Sequence, residues 1–345
     1  MNETQRLTAE AEPTHRISIS ERRDFKPPRW LSGAHLQSIL SAQLPRSAAV
    51  RLRARALIAA SEDHVLDCGD GVRLLGHYAP RGQSRSLVVL HHGWEGSADA
   101  LYVLSAAEYL WQRGHAIFRL NLRDHGPTHH LNPEIFHSCR IQEVVGAVAS
   151  IQERFARDSV ALVGFSLGGN FALRVAARAA TAGLKLAQVL AICPVLDPVH
   201  TLAVLDGPAA LYRRYFVRKW RSSLMRKQAA WPELYEFGDL ARLRDLTSMT
   251  ALMVHRHSEF PDLLSYLRGY GITGTRLQTL ATPARILAAL DDPLIPATDL
   301  DRLWPAETLS IEVTAHGGHC GFMESLLGPS WADRWIAAAL APLAG

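Results

Sequence analysis

The apolar run Val160-Ala161-Leu162-Val163-Gly164-Phe165 passes without a linker into Ser166-Leu167-Gly168 and then into a helix pattern reaching about residue 180. No other feature constrains the fold as much. A continuous apolar run reads as a strand buried on both faces. Glycine two residues before and two after the serine lets that strand and the following helix meet at a sharp turn. Such a strand needs neighbours, and the sequence supplies them. Residues 87–90, 116–122, 187–193, 284–290 and 309–313 read as strands, and residues 98–113, 141–156 and 331–340 as helices. This alternation predicts an α/β fold with a mostly parallel, doubly wound sheet. Residues 65–68 and 72–78, joined at Gly69-Asp70-Gly71, predict an antiparallel hairpin at its start.

The rhythm breaks after residue 193. Residues 197–275 carry helical patterns without a buried strand and read as a helical cap inserted late in the sheet. The predicted division is a tail and arm (1–60), an α/β core (61–196 and 276–345) and a cap or lid (197–275). Residues 1–24 are polar and expected to be mobile. Residues 34–40, which follow Pro27-Pro28-Arg29-Trp30, read as a short helix packed on the core as an arm. A length of 345 residues suits one large domain carrying an insertion.

Composition excludes several function classes. A formal charge of +4 from scattered arginines is too small to argue for nucleic acid. Cys68, Cys139, Cys193 and Cys320 stand far apart, with no C-x-x-C pair, so neither a zinc site nor a disulfide framework is expected. Reduced thiols in a cytoplasmic protein suit that spacing. The polar start lacks a secretory pattern, and no run of about 18 apolar residues offers a membrane span.

The glycine-flanked turn lifts the Ser166 hydroxyl off the carboxyl edge of the sheet, with a helix N-terminus behind it. An idle serine in a tight turn has the same local pattern, so the decision rests on partners downstream. The strand at 284–290 ends in Asp291-Asp292-Pro293-Leu294-Ile295-Pro296, which places a carboxylate on the same sheet edge. Asp292, four residues before Pro296, is the favoured acid; Asp291 and the more distant Asp197 are the alternatives. The last strand leads into His316-Gly317-Gly318-His319, where His319 is the favoured base and His316 its rival. Serine, acid and histidine in that order compose a nucleophilic triad. Upstream, His91-His92-Gly93-Trp94-Glu95-Gly96 follows a buried strand, and the backbone N–H groups of Trp94 and Leu167 are the candidate oxyanion donors.

Taken together these residues resemble the YheT-like branch of the α/β-hydrolase superfamily. The resemblance rests on Pro28-Arg29-Trp30-Leu31 with His35-Leu36-Gln37-Ser38-Ile39, on His92-Gly93-Trp94-Glu95-Gly96-Ser97, on Gly164-Phe165-Ser166-Leu167-Gly168-Gly169-Asn170, on Asp291-Asp292-Pro293 and on Gly317-Gly318-His319-Cys320-Gly321-Phe322. It implies carboxylester hydrolysis, with relatives that act on acyl lipids or transfer acyl groups to alcohols. The chain departs from that branch at Arg123-Asp124-His125-Gly126 and Thr128-His129-His130-Leu131, where a more glycine-rich arginine loop is common.

The loop histidines His125, His129, His130 and His137 do not complete a known metal pattern. Neither a metal nor another cofactor is expected. Tyr212, Phe216, Trp220 and Leu224 recur every four residues, amid Arg213, Arg214, Arg218, Lys219, Arg221, Arg226 and Lys227. This reads as a lid helix with its apolar stripe on the active site and its charges in water. The sharper reading sets those charges against an anionic lipid surface. The expected activity is hydrolysis of a small-molecule acyl ester through an acyl-enzyme. An acyltransferase on the same triad and a non-catalytic binding protein of this fold are the rivals.

Overall fold

The computed structural model describes residues 18–155, 157–207 and 210–343. Ile19–Glu21 (β1) lies parallel to residues Leu309–Thr314, with Ile19 beside Ile311 and Glu21 beside Val313. The expectation of a mobile stretch through residue 24 is therefore corrected. The Arg22 N–H donates to Val313 O at 2.7 Å, and its guanidinium lies 2.7 Å from Glu312, so residues 19–22 are tied to the sheet edge. Residues 1–17 lie outside the described residues. Helices Ala34–Leu40 (α1), Arg46–Arg53 (α2) and Arg55–Ala59 (α3) follow, of which only α1 is legible in the sequence pattern.

Glu62–Asp67 (β2) and Arg73–Ala79 (β3) form the expected antiparallel hairpin. Ser86–His91 (β4), Ala116–Leu120 (β5), Ser159–Phe165 (β6), Gln188–Ile192 (β7), Ala284–Ala289 (β8) and Leu309–Thr314 (β9) complete the sheet. Its order is β1-β9-β8-β7-β6-β4-β5-β3-β2, parallel from β1 to β5 and antiparallel beyond. Leu101–Trp111 (α4), Ile141–Arg154 (α5) and Leu167–Ala176 (α6) alternate with β4 to β7. Pro198–Leu205 (α7), Ala210–Ala230 (α8), Leu246–His257 (α9) and Leu263–Tyr270 (α10) all lie between β7 and β8, and Trp331–Leu340 (α11) follows β9. Helix α4 starts at Leu101, later than the pattern predicts, because Ala100, with ψ of 138°, is not helical.

The strands divide their side chains between two cores, as a sheet covered on both faces must. Leu87, Val89, Val160, Leu162 and Val189 pack with α5 and α6. Val88, Leu90, Ala161, Val163 and Leu190 pack with α4 and α11. Three of the four inserted helices begin on acidic caps: Asp197 accepts the Val199 N–H before α7, Asp245 that of Ser248 before α9, and Asp262 that of Ser265 before α10. Among the described residues no helix is long and apolar enough to cross a membrane.

Candidate active site

At the turn from β6 into α6, side chains are excluded by backbone on both flanks of the serine. A Cβ on Gly164 would meet Gly168 O at 2.2 Å, and one on Gly168 would meet His91 O at 2.5 Å. Ser166 itself has φ of 54°, a conformation costly for a residue with a side chain. Its N–H donates to Ile192 O at 2.9 Å and its carbonyl accepts from Asn170 at 3.1 Å, which holds the turn.

Three of the predicted side chains meet above this turn. Asp292, just past β8, accepts the N–H groups of Leu294 at 2.8 Å and Ile295 at 3.1 Å on Oδ1. Its Oδ2 lies 2.9 Å from His319 Nδ1, and His319 Nε2 lies 2.8 Å from Ser166 Oγ. A carboxylate can only accept, so the imidazole proton belongs on Nδ1 and Nε2 is left to accept from the serine hydroxyl. Burial pushes the His319 imidazole toward neutrality, but the Asp292 charge and the neighbouring Cys320 outweigh it and raise its pKa.

The rival residues lie elsewhere. Asp291 accepts the Gly318 N–H at 2.9 Å and sits 3.6 Å from the exposed His316. Asp197 caps α7 and pairs with Arg302 at 2.7 Å. Asp291 and Asp197 thus shape loops next to the site without touching His319.

Leu167 is the first residue of α6, where a backbone N–H has no partner within the helix. The Trp94 N–H meets no acceptor among the described residues. Supporting groups that sequence reasoning missed fix both sides of the site. The Gly93 N–H donates to Tyr102 Oη at 2.9 Å. His92 Nε2 accepts from Leu122 N at 3.1 Å, so Nδ1 carries the proton and donates to Gly93 O at 2.8 Å. Burial keeps that ring neutral, with its pKa lowered to about 4. From α1, Ser38 Oγ accepts the His319 N–H at 2.8 Å. Gln37, fully buried, donates to Leu31 O and Met323 O and accepts from Met323 N at 2.7 Å. Both residues stand in the arm motif His35-Leu36-Gln37-Ser38-Ile39, which carries no local sign of these long-range contacts.

A cavity of about 950 Å³ opens over the triad, bounded by Ser166, His319, Trp94, Phe216, Trp220 and Ile295. The stripe on α8 faces inward: Phe216 stacks on Trp94 at 5.3 Å and Trp220 meets it edge-on at the same distance. Glu95 also lines the cavity, nearly buried, where desolvation lifts its carboxyl to about 7 against the pull of Lys219 and Arg226. Lys227, a member of the basic run, is buried. Its Nζ donates to Asp124 Oδ1 at 2.9 Å, Asn132 O at 2.7 Å and Glu134 O at 2.9 Å. The loop that departs from the family pattern is thus the seat of α8.

Two groups among the described residues are tight enough to share an ion: Cys193, His319 and Cys320; and Asp197, His200 and Asp299. In the second, Arg302 lies 2.7 Å from Asp197 and 3.1 Å from Asp299, so an internal cation already balances the carboxylates. Two of the four loop histidines are engaged elsewhere. His125 Nδ1 lies 2.7 Å from Arg123 O, and His129 Nε2 2.9 Å from Ser223 Oγ.

A family model described as the alpha/beta hydrolase fold matches residues 86–326. YheT of Escherichia coli (strain K12), whose name carries a provisional esterase assignment, is 26% identical over 340 residues, covering 95% of this chain and 96% of that protein. The monoacylglycerol lipase ABHD2 of Danio rerio is 24% identical over 274 residues, covering 72% of this chain and 63% of that protein. The Pyrococcus furiosus esterase Pf2001 superposes with a TM-score of 0.57 at 15% identity, over 84% of this chain and 95% of that chain. At that identity the likeness is one of fold.

Proposed function

Because this chain belongs to the α/β-hydrolase family, we propose that it is a carboxylic-ester hydrolase, in which a hydrophobic ester acylates Ser166 and water releases the acyl group. The observation that carries this reading is the continuous hydrogen-bond line from Asp292 through His319 to Ser166 Oγ at the floor of a largely apolar cavity.

In the proposed mechanism, His319 Nε2 takes the proton from Ser166 Oγ as the oxygen attacks the ester carbonyl. Asp292 holds the ring orientation and stabilises the imidazolium. The N–H groups of Trp94 and Leu167 receive the developing oxyanion, each contributing about 3 kcal/mol to the barrier reduction. His319 then protonates the leaving alcohol, and a water activated by the same ring cleaves the acyl-enzyme. The reaction calls on no metal or other cofactor.

The aromatic wall of Trp94, Phe216 and Trp220 supports a hydrophobic acyl group as the part of the substrate held under the proposed lid, residues 197–275. The exposed Arg214, Arg218 and Lys219 on α8 support peripheral contact with an anionic lipid surface. The proposed location is the cytoplasm, on the strength of four free thiols. The test is hydrolysis of p-nitrophenyl esters of graded acyl length by the parent protein and by Ser166→Ala. The parent is expected to turn them over, and the variant to lose at least about 10³-fold in kcat. Full activity in Ser166→Ala overturns the mechanism.

A further inference from the structure

Two of the four cysteines, 127 residues apart in sequence, meet behind the candidate histidine. Cys193 follows β7 directly and is 1% exposed, while Cys320 follows His319 and lines the cavity. Their sulfurs and a His319 ring nitrogen all lie within 4.8 Å of one another. Cys193 Sγ sits 3.8 Å from Gly318 O, and Cys320 Sγ 3.6 Å from Ile192 O, so each thiol packs on the backbone that carries the other. Both residues have positive φ, 44° and 60°.

We propose that Cys193 and Cys320 form an oxidisable dithiol, which hydrogen peroxide converts to a disulfide that displaces His319 and shuts off hydrolysis. The chemistry divides between an accessible and a hidden sulfur. Cys320, open to the cavity, attacks the peroxide; the O–O bond breaks, one oxygen stays as Cys320 sulfenic acid, and the other leaves as water. The Cys193 thiol then attacks the Cys320 sulfur, closing the S–S bond and expelling a second water. Two thiols lose two electrons and two protons, and one peroxide is reduced to two waters.

The electrostatics suit this division. Burial raises the Cys320 thiol, but the hydrogen bond with Cys193 and the adjacent His319 bring it below its ordinary value. Cys193, buried behind it, is raised well above its own and keeps its proton. Closing the pair shortens a separation within 4.8 Å to a bond of about 2.05 Å, and the backbone that moves with Cys320 is the one that carries His319. Misplacing a reacting group by about 1 Å costs about 10²-fold in rate.

The loss of activity rests on the proposed role of His319, but the disulfide is read independently by mass. Full-length protein is treated with hydrogen peroxide, blocked, digested without reductant and mapped, and ester hydrolysis is measured before and after dithiothreitol. The expected result is a Cys193–Cys320 peptide pair lighter by two hydrogens, an activity loss of at least tenfold that tracks its yield, and recovery on reduction. Cys193→Ala, referred to its own reduced state, is expected to lose activity that dithiothreitol does not restore, as Cys320 passes to the sulfinic acid. Cys68→Ser and Cys139→Ser are expected to respond as the parent does. Oxidation of Cys320 without the linked pair overturns the proposal, and so does a linked pair in fully active protein. Should the protein hydrolyse no ester, the mapped pair still decides whether the dithiol exists.

Discussion

Asp292 makes three hydrogen bonds, two from the turn that follows it and one from His319, so its carboxylate is both held and committed. That commitment sets a pH dependence. In the proposed mechanism His319 serves as a base only when neutral, and the Asp292 charge and Cys320 hold its pKa above the ordinary value. Activity is therefore expected to rise from neutral into alkaline pH and to fall as pH drops through the raised pKa. In Asp292→Asn the raising charge is gone and burial dominates, so the acid limb of kcat/KM moves to lower pH. The plateau falls about 10⁴-fold because the ring takes the wrong tautomer. A kcat/KM profile with a sensitive fluorogenic ester, alongside the imidazole titration by NMR, checks both parts; an unmoved or rising limb rejects the assignment. Residue-level legibility follows the same chemistry. That Asp292 and not Asp291 contacts His319 was readable because its spacing to Pro296 encodes the turn its Oδ1 satisfies. Ser38 was not, because a serine on a short helix far upstream carries no local sign that it will hold the His319 backbone.

At the scale of elements, α8 is a wall of the cavity and is anchored on the 123–134 loop. Phe216 and Trp220 were legible as its inner stripe from their four-residue spacing. Lys227 was not. It looked like one more solvated charge in a basic run, and its partner Asp124 lies 103 residues away in sequence. Both side chains are almost wholly buried. Removing one member leaves the other uncompensated in a low-dielectric site, which costs about 3–5 kcal/mol. Lys227→Met is accordingly expected to lower the urea midpoint and to raise hydrogen exchange in α8. Adding Asp124→Asn removes the stranded charge and is expected to recover much of that loss. A Lys227→Met protein that unfolds at the parent's urea concentration would mean that the pair does not seat the helix. The Arg123-Asp124-His125-Gly126 loop thus carries a buried ion-pair socket for α8. The edge strand β1 escaped the sequence reading for a related reason, since three residues paired on one side only leave too short a pattern to see.

At the scale of the whole molecule, two segments far apart in sequence converge on the cavity, and both lack acidic residues. None occurs from Phe25 to Ser61, nor between Asp206 and Glu233. Arg51 from the first and Lys219 from the second line the cavity, and both are exposed. Leu44 and Leu52 stand exposed on the arm, and Leu211 and Tyr215 on α8. A net charge of only +4 hides this asymmetry, because the compensating acids lie elsewhere in the chain. A basic rim set with exposed apolar side chains suits an anionic bilayer, where each cation near the surface contributes about 1 kcal/mol. On the proposed reading, binding through such a rim sets the cavity mouth against the lipid that would carry a hydrophobic ester. The protein is therefore expected to pellet with phosphatidylglycerol vesicles at low salt, to be released by high salt, and to remain in solution with phosphatidylcholine alone. Lys219→Glu or Arg51→Glu reverses one charge, a change of about 2 kcal/mol, and is expected to weaken partitioning by about tenfold or more. Hydrolysis of a short, water-soluble ester by the same variants should change little, because neither side chain reaches the hydrogen-bond line at Ser166. Equal pelleting with neutral and anionic vesicles, or no effect of either charge reversal, would remove the membrane from this account and leave the triad untouched.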